Sequence, residues 1–189
     1  MGCAVGFFLY PQFDFDEGRI NAPALTAPIQ ISACFSPEGH CTSRIVSAID
    51  SAKTSILVQA YSFTSPPIAQ ALTQAYERGL DVRVIIDKSR LSEKHSQIPL
   101  LSQKGIPIFI DPAVGIGHNK TIILDNSWVL TGSFNWSMAA ENKNAENILF
   151  IEDPSLAQIY KKNWENRANT ARNAITETKI KKENNPFIS

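Results

Sequence analysis

Apolar, strand-like runs alternate with helix-like stretches along most of this chain, and that alternation constrains the fold more than any other feature. Ser55–Phe63 and Asp81–Asp87 are mainly apolar runs of the kind found in buried strands. The stretch between them opens on Pro66 and Pro67 and stops at Gly79, residue types that favour the start and the end of a helix. Strands that alternate with helices predict an α/β fold, with a mixed β-sheet flanked by helices on both faces.

The remaining elements follow from the same two patterns. Apolar runs predict strands, and a helical period of apolar residues predicts helices. Further strands are expected at 29–35, 106–110, 118–124, 128–131 and 147–152. Further helices are expected at 42–53, 98–104, 139–143 and 154–172.

The chain divides into an N-terminal arm, one folded domain and a tail. Residues 1–28 have no sustained period, so they predict an arm or the remnant of a signal segment. Residues 29–172 hold all the predicted strands and helices, and residues 173–189 predict a polar, frayed tail. A chain of 189 residues with 43% apolar content can bury one core. Its 18 basic and 18 acidic residues give no net charge, so affinity for nucleic acid must come from a local patch.

One short segment combines the side chains that phosphate chemistry needs. It reads His118-x-Lys120-x4-Asp125-x6-Gly132-Ser133-x-Asn135. Alternate residues of a strand share a face, so His118 and Lys120 are expected side by side. The imidazole can attack phosphorus or donate a proton, and the ammonium can neutralise non-bridging oxygens.

The other residues of this segment are expected to shape and complete the site. Gly132 permits a sharp turn that leaves Ser133 and Asn135 facing the strand ends, where both can contact a phosphate. Ser133 could instead cap the turn with its hydroxyl. Asp125 follows the strand and is expected to hold its own turn by hydrogen bonds. It is the only carboxylate of the segment, so no two-metal site is expected, and no metal or other cofactor is predicted.

The segment resembles the full signature of the phospholipase D superfamily, and the resemblance runs from about Ala33 to about Arg172. Gly132–Ser137 and Lys143–Asn147 are similar to stretches of its small, single-motif bacterial nucleases, which work without metal. The resemblance implies that Glu146 stands behind the catalytic histidine, accepts its second N–H and fixes its tautomer. It also implies a homodimer, because single-motif members bring two copies of the histidine together at an interface.

The chemistry and the resemblance together predict a metal-independent phosphodiesterase that cleaves DNA or RNA through a phosphohistidine. One imidazole must attack phosphorus while another protonates the leaving oxygen, and only His118 has a lysine two residues on. A symmetric dimer with one composite site is therefore expected. The alternative is phospholipase D-type hydrolysis of phospholipid head groups, which the same motif permits. A non-catalytic binding module is a third class, which the intact motif disfavours.

Two further groups of residues could contact a nucleic acid. Lys88, Arg90 and Lys94 follow the third predicted strand and could line a groove for a polyanion or lie on a solvated loop. Phe134 and Trp136 could stack on bases or belong to the core, and at least one of them is expected in the core.

Two of the three cysteines, Cys34 and Cys41, bracket a turn-forming segment with Pro37 and Gly39. A disulfide could close this loop, or both thiols could remain reduced. A metal site that uses both sulfurs and His40 would lack a fourth ligand within the loop. A disulfide would indicate an oxidising compartment. The apolar first residues could be part of a signal segment, although no basic residue precedes them, and a periplasmic or secreted location is favoured over the cytoplasm.

Overall fold

A computed structural model describes residues 29–112 and 115–184, with side chains described up to Ala171. The predicted arm 1–28 and residues 185–189 of the predicted tail lie outside the described residues. The strands are β1 Gln30–Ser36, β2 Ser55–Ala60, β3 Asp81–Asp87, β4 Ile108–Asp111, β5 Thr121–Leu124, β6 Trp128–Gly132 and β7 Glu146–Glu152. The helices are α1 Cys41–Ser51, α2 Pro66–Glu77, α3 Ile98–Gln103, α4 Met138–Asn142 and α5 Pro154–Asn184, and a short 3₁₀ turn covers Lys88–Arg90.

The strands form one mixed sheet of seven, in the order β1-β7-β6-β5-β2-β3-β4. The neighbours β2, β3 and β4 run parallel, and every other neighbouring pair is antiparallel. Parallel neighbours need crossover connections, which α2 and α3 provide. This topology brings the last residues of β1, β2, β3, β4 and β6 to the same edge as the first residues of β5 and β7. We call this the carboxyl edge.

Helices cover both faces of the sheet, which confirms the predicted architecture. Helices α1 to α4 pack on one face, around a core that includes Phe63 and Trp136. Helix α5 packs on the other face through Trp164, whose Nε1 donates to the Val58 carbonyl at 2.9 Å. The Trp164 ring also meets Phe109 edge to face, with centroids 5.7 Å apart. The long C-terminal helix is therefore pinned to the centre of the sheet.

Helix α5 extends further than the sequence pattern predicted. It was expected to end at Arg172 but continues to Asn184, so residues 173–184 of the predicted tail are helical. Ala171 is the last buried residue described in it. Beyond that point the chain has no glycine or proline before Pro186, and its residues are mostly ordinary helix formers, so an established helix can propagate past its apolar stripe.

The loop between β1 and α1 is closed by a disulfide, one of the three states that the sequence left open. Cys34 and Cys41 are bonded with their Cα atoms 5.7 Å apart. The loop lies at the carboxyl edge, where Ser36 Oγ donates to the Asn144 carbonyl at 3.1 Å. In the described part of the chain, no helix combines the length and the apolar character that crossing a membrane requires.

Candidate active site

The motif residues gather at the carboxyl edge, with the exception of Asp125. His118 and Lys120 lie in the segment just before β5, which begins at Thr121 and not at His118 as predicted. The physical reason is the partner strand. The register of β2 against β5 ends at the pair Gln59 and Thr121, so the residues before Thr121 have no ladder to join on that side. The alternation of side chains along a strand therefore does not explain how His118 and Lys120 are positioned.

A tyrosine brings His118 and Lys120 together. The Tyr61 ring lies 4.5 Å from the His118 ring, centroid to centroid, and 5.0 Å from Lys120 Nζ. Lys120 Nζ also donates to the His118 carbonyl at 2.6 Å. The imidazole is exposed, whereas Lys120 is only 5% exposed. The site thus presents a solvent-accessible imidazole close to a nearly buried lysine.

Sequence reasoning missed Tyr61 and left Arg90 undecided. Arg90 Cζ lies 4.0 Å from the centroid of the Tyr61 ring, and its guanidinium donates to the Tyr61 hydroxyl. Arg90 therefore faces the site, whereas Lys88 and Lys94 are exposed. The available signal was position, because Tyr61 directly follows β2 and Arg90 closely follows β3, and both strands end at the carboxyl edge.

Lys120 is placed where an incoming anion would be favoured. Burial lowers the pKa of its ammonium below the ordinary value, because the charged form loses solvent. The carboxylate of Glu146 opposes this shift, and the nearby cation Arg90 adds to it. A bound phosphate would supply further negative charge and stabilise the protonated lysine.

Glu146 begins β7 and is half-buried. Its carboxylate accepts a hydrogen bond from Asn144 Nδ2 at 2.9 Å. It is also close enough to Lys120 to act on that residue electrostatically. The predicted contact of Glu146 with the second N–H of His118 stays a prediction.

Ser133 and Asn135 also lie at the carboxyl edge, just beyond β6. Ser133 Oγ accepts from the Asn147 N–H at 3.0 Å and so ties the end of β6 to β7. Asn135 Oδ1 is buried and has no hydrogen-bond partner among the described residues. Buried polar atoms of this kind usually have a partner, and this oxygen accepts hydrogen bonds, so it is available to a hydrogen-bond donor.

Gly132 is required for a different reason from the one predicted. A Cβ added there would lie 2.2 Å from the Asn147 carbonyl oxygen and 2.9 Å from Ile148 Cα, both backbone atoms of β7. The glycine therefore permits close approach of β6 and β7, and a sharp turn is not what selects it. This close approach holds Ser133 against Asn147.

Phe134 and Trp136 are both fully buried, so neither stacks on a base. Trp136 Nε1 donates to the Gln59 carbonyl at 3.1 Å. Its own carbonyl accepts from the N–H groups of Thr64 and Ser65 at 2.8 and 3.0 Å. The expectation that at least one of the two belongs to the core is confirmed, and the structure places both there.

Asp125 lies at the opposite edge of the sheet and holds a neighbouring loop together. Both Asp125 and Asn126 have positive φ, 53° and 54°, as expected for the hairpin turn predicted here. The Asp125 carboxylate accepts from the backbone N–H groups of Lys53, Thr54 and Ser55 at 2.8, 2.7 and 3.1 Å. The structural role predicted for Asp125 thus acts on the segment between α1 and β2, not on its own turn.

The charge on Asp125 is expected to stabilise the fold above acid pH. Burial raises the pKa of its carboxyl, but the hydrogen bonds from Ser55, Thr54 and Lys53 more than offset this, so the pKa lies below its ordinary value. A lowered pKa in the folded state means that the stabilisation is present above the unfolded pKa. It is lost as pH falls through the folded one.

Asp125→Asn is expected to lower the free energy of unfolding by about 1–3 kcal/mol at neutral pH. Asparagine tolerates the positive φ but loses the charge and one acceptor oxygen. Urea unfolding measured from neutral to acid pH should show the difference shrinking as wild-type Asp125 is protonated. Asp50→Asn, at an exposed position of α1, is the control. A difference that does not depend on pH would contradict this account.

Comparison with known proteins agrees with this geometry. The family model described as "Cardiolipin synthase, PLD-like domain" matches residues 45–168. A phospholipase D of Rickettsia prowazekii is 44% identical over 165 residues, covering 86% of this chain and 80% of the relative. The mitochondrial cardiolipin hydrolase of Mus musculus is 31% identical over 159 residues, covering 84% of this chain and 72% of the relative.

A solved structure extends the agreement to the fold. The crystal structure of Nuc from Salmonella typhimurium, described as a phospholipase D family member, superposes with a TM-score of 0.72 at 43% identity. The match covers 75% of this chain and 95% of Nuc. The PLD-like match spans the segment that carries His118 and Lys120, and so the chain belongs to the phospholipase D superfamily and is a phosphodiester hydrolase.

Proposed function

We propose that this protein is a metal-independent nuclease that cleaves phosphodiester bonds of DNA or RNA through a phosphohistidine intermediate. The observation that carries the proposal is the exposed imidazole of His118 next to the nearly buried Lys120 and to Arg90. This arrangement offers a nucleophile and two cations to one phosphate without a metal ion. The resemblance to small single-motif nucleases supports the same function.

The proposed reaction has two steps. In the first, His118 attacks phosphorus, an N–P bond forms, and the P–O bond to the leaving group breaks. A second imidazole, the partner's His118, gives its proton to the leaving oxygen. In the second step, that imidazole takes a proton from water, the resulting hydroxide attacks phosphorus, and the N–P bond breaks. Lys120, Arg90 and the Nδ2 group of Asn135 donate to the non-bridging oxygens throughout.

The second imidazole requires a second copy of the chain, and an exposed apolar face supports this. Ile31 and Phe35 are 63% and 67% exposed on β1. Leu149 and Ile151 on β7 are half-exposed and, by their register with β1, lie on the same face of the sheet. We call these four residues the β1 strip.

The β1 strip reaches the active site and lies beside the layer of α5. Phe35 pairs with Asn147, which bonds Ser133. The strip shares its sheet face with Val129, which α5 covers. Apolar surface that none of the described elements covers, as here, marks an interface. A second copy seated there would bury the strip next to both active sites, and this is the occupant that we propose.

Nucleic acid is favoured over lipid by the cations around the site. Arg90 contacts Tyr61 and so reaches the reacting centre, while the exposed Lys88 lies in the same 3₁₀ turn. A polymer carries a phosphate on each side of the cleaved bond, and such cations can hold these flanking phosphates. In a chain with no net charge, a local patch of this kind is the source of affinity that a polyanion requires.

Phospholipid is the second candidate substrate, because two relatives carry lipid-directed names. The Rickettsia prowazekii protein is named phospholipase D, and the Mus musculus protein is named mitochondrial cardiolipin hydrolase. The motif chemistry is the same for a lipid phosphodiester. The substrate assay must therefore offer both classes under identical conditions.

The test is hydrolysis of single- and double-stranded DNA, RNA and cardiolipin-containing vesicles, each in excess EDTA. We expect nucleic acid to be cleaved and vesicles to be left intact. A His118→Ala preparation purified in parallel controls for contaminating nucleases, and it should cleave none of the substrates. Cleavage that chelation abolishes would overturn the metal-independent mechanism. Head-group release from the vesicles without cleavage of DNA or RNA would mean that the substrate is a phospholipid and not a nucleic acid.

A further inference from the structure

Two buried acids stand side by side at the carboxyl edge, behind the loop that carries His118. Asp87 ends β3 and Asp111 ends β4, and the two are register partners. Their exposed fractions are 0% and 2%. Two carboxylates buried this close together are unfavourable unless cations and hydrogen-bond donors surround them. The identity of those donors indicates what the pair does.

Helix α5 supplies the cation. Arg167 Nε donates to Asp111 Oδ2 at 2.6 Å, and Nη2 donates to Oδ1 at 2.7 Å. This two-pronged contact fixes the orientation of the carboxylate as well as its charge. The hydrogen bonds to Asp111, together with the negative charge of Asp87, raise the pKa of Arg167. Arg167 therefore locks Asp111 in place.

Asp87 supplies the acceptors for the loop. Its Oδ1 accepts from the Ser89 N–H at 2.8 Å and from the Ser89 hydroxyl. Its Oδ2 accepts from the N–H of Gly117, the residue just before His118. The buried carboxylate thus fixes the backbone one residue from the imidazole.

Gly117 fits against this acid pair with no room to spare. A Cβ added to Gly117 would lie 2.9 Å from Asp111 Oδ2 and 3.3 Å from Asp87 Oδ2. The nearer oxygen cannot swing away, because Arg167 holds it. A Cβ added to Gly115, two residues earlier in the loop, would meet no atom of the described residues within 4 Å.

We propose that Asp87, Asp111 and Arg167 form a positioning network that aims the His118 imidazole through Gly117. Arg167 holds Asp111, the acid pair holds the Gly117 backbone, and the His118 ring is thereby kept against Tyr61. The three are positioning residues, since they act on the histidine through the loop. The network links α5, on the far face of the sheet, to the reacting group. This inference rests on the proposed function in one respect, which is that it takes His118 as the reacting group.

Gly117→Ala and Gly115→Ala form a matched pair for the test. In the wild type, the Tyr61 ring current should displace the His118 ring-proton signals in the NMR spectrum from those of the exposed His95. In Gly117→Ala these signals should move towards the His95 positions, and kcat on bis(p-nitrophenyl) phosphate should fall by about 100-fold with KM little changed. Gly115→Ala should match the wild type in both measurements.

A second set of variants tests the role of the Arg167 cation. Arg167→Gln should shift the His118 signals and lower kcat, and Arg167→Lys should recover part of both. The control is Arg83→Gln, which removes another Arg–Asp pair, with Asp81 at 2.8 Å, from the opposite end of β3. Arg83 also contacts α5 through Trp164, 5.1 Å from its Cζ, so its loss disturbs the same helix.

The outcomes separate this inference from the proposed function. If Gly117→Ala and Arg167→Gln are folded and keep the wild-type His118 signals, the positioning network is overturned. The same conclusion follows if Arg83→Gln shifts the signals equally. If the wild type cleaves no phosphodiester, the proposed function fails, and the NMR signals still decide whether the network orients the histidine.

Discussion

Replacing His118 by alanine is expected to lower the rate of phosphodiester cleavage by on the order of 10⁴-fold or more. In a symmetric dimer, one substitution removes both the nucleophile of one subunit and the proton donor of the other. The fold should be unaffected, because the side chain is exposed and meets Tyr61 at the surface of the site. Steady-state cleavage and the midpoint of urea unfolding are the two measurements.

A second histidine provides the matched control. His95 is also exposed and has a φ of 65°, which asparagine tolerates, so His95→Asn should keep both activity and stability. Phosphate from a labelled substrate should remain on the wild-type protein after an alkaline quench and be absent from His118→Ala. If His118→Ala retained more than about a tenth of the wild-type rate, a loss of under ~1.4 kcal/mol in transition-state stabilisation, His118 would not be the nucleophile.

The fold was predictable because the strands carry a strong and simple signal. β3 has the predicted bounds, Asp81–Asp87, because most residues on both of its faces are buried and its centre is mainly apolar. The β5–β6 turn was predictable from Asp125 and Asn126, which accept positive φ. The end of α5 was not predictable in this way, because residues 172–184 have no glycine or proline and mostly ordinary helix formers, so no local signal marks where the helix ends.

The site was predictable only where its residues are neighbours in sequence. His118 and Lys120 lie in one segment, but Tyr61 and Arg90 come from separate loops and meet only because β2 and β3 are adjacent and parallel. Gly132 is a similar case, because the close backbone of β7 is what requires a glycine there, and no local sequence pattern reveals that contact. Tertiary contact, and not local preference, selects such residues.

Phe35→Asp is expected to dissociate the proposed dimer and remove most of the activity. Phe35 is 67% exposed in the single chain, so a charge there should not disturb folding. At the centre of an interface, losing an aromatic anchor and burying a carboxylate should weaken association by about 3–4 kcal/mol, or on the order of 10²- to 10³-fold in Kd. Sedimentation and cleavage rate, both followed against protein concentration, give the measurement.

Leu100→Asp is the matched control, because Leu100 is also exposed but lies on α3, across the sheet from the β1 strip. It should stay dimeric and active.

A monomeric Phe35→Asp with full activity would mean that one chain holds a complete site, and the composite mechanism would fail. A dimeric Phe35→Asp would place the interface elsewhere. A monomeric wild type whose vesicle binding is lost in Phe35→Asp would make a lipid surface the partner of the β1 strip. Activity that falls with dilution in step with dissociation is the result that only a shared site explains.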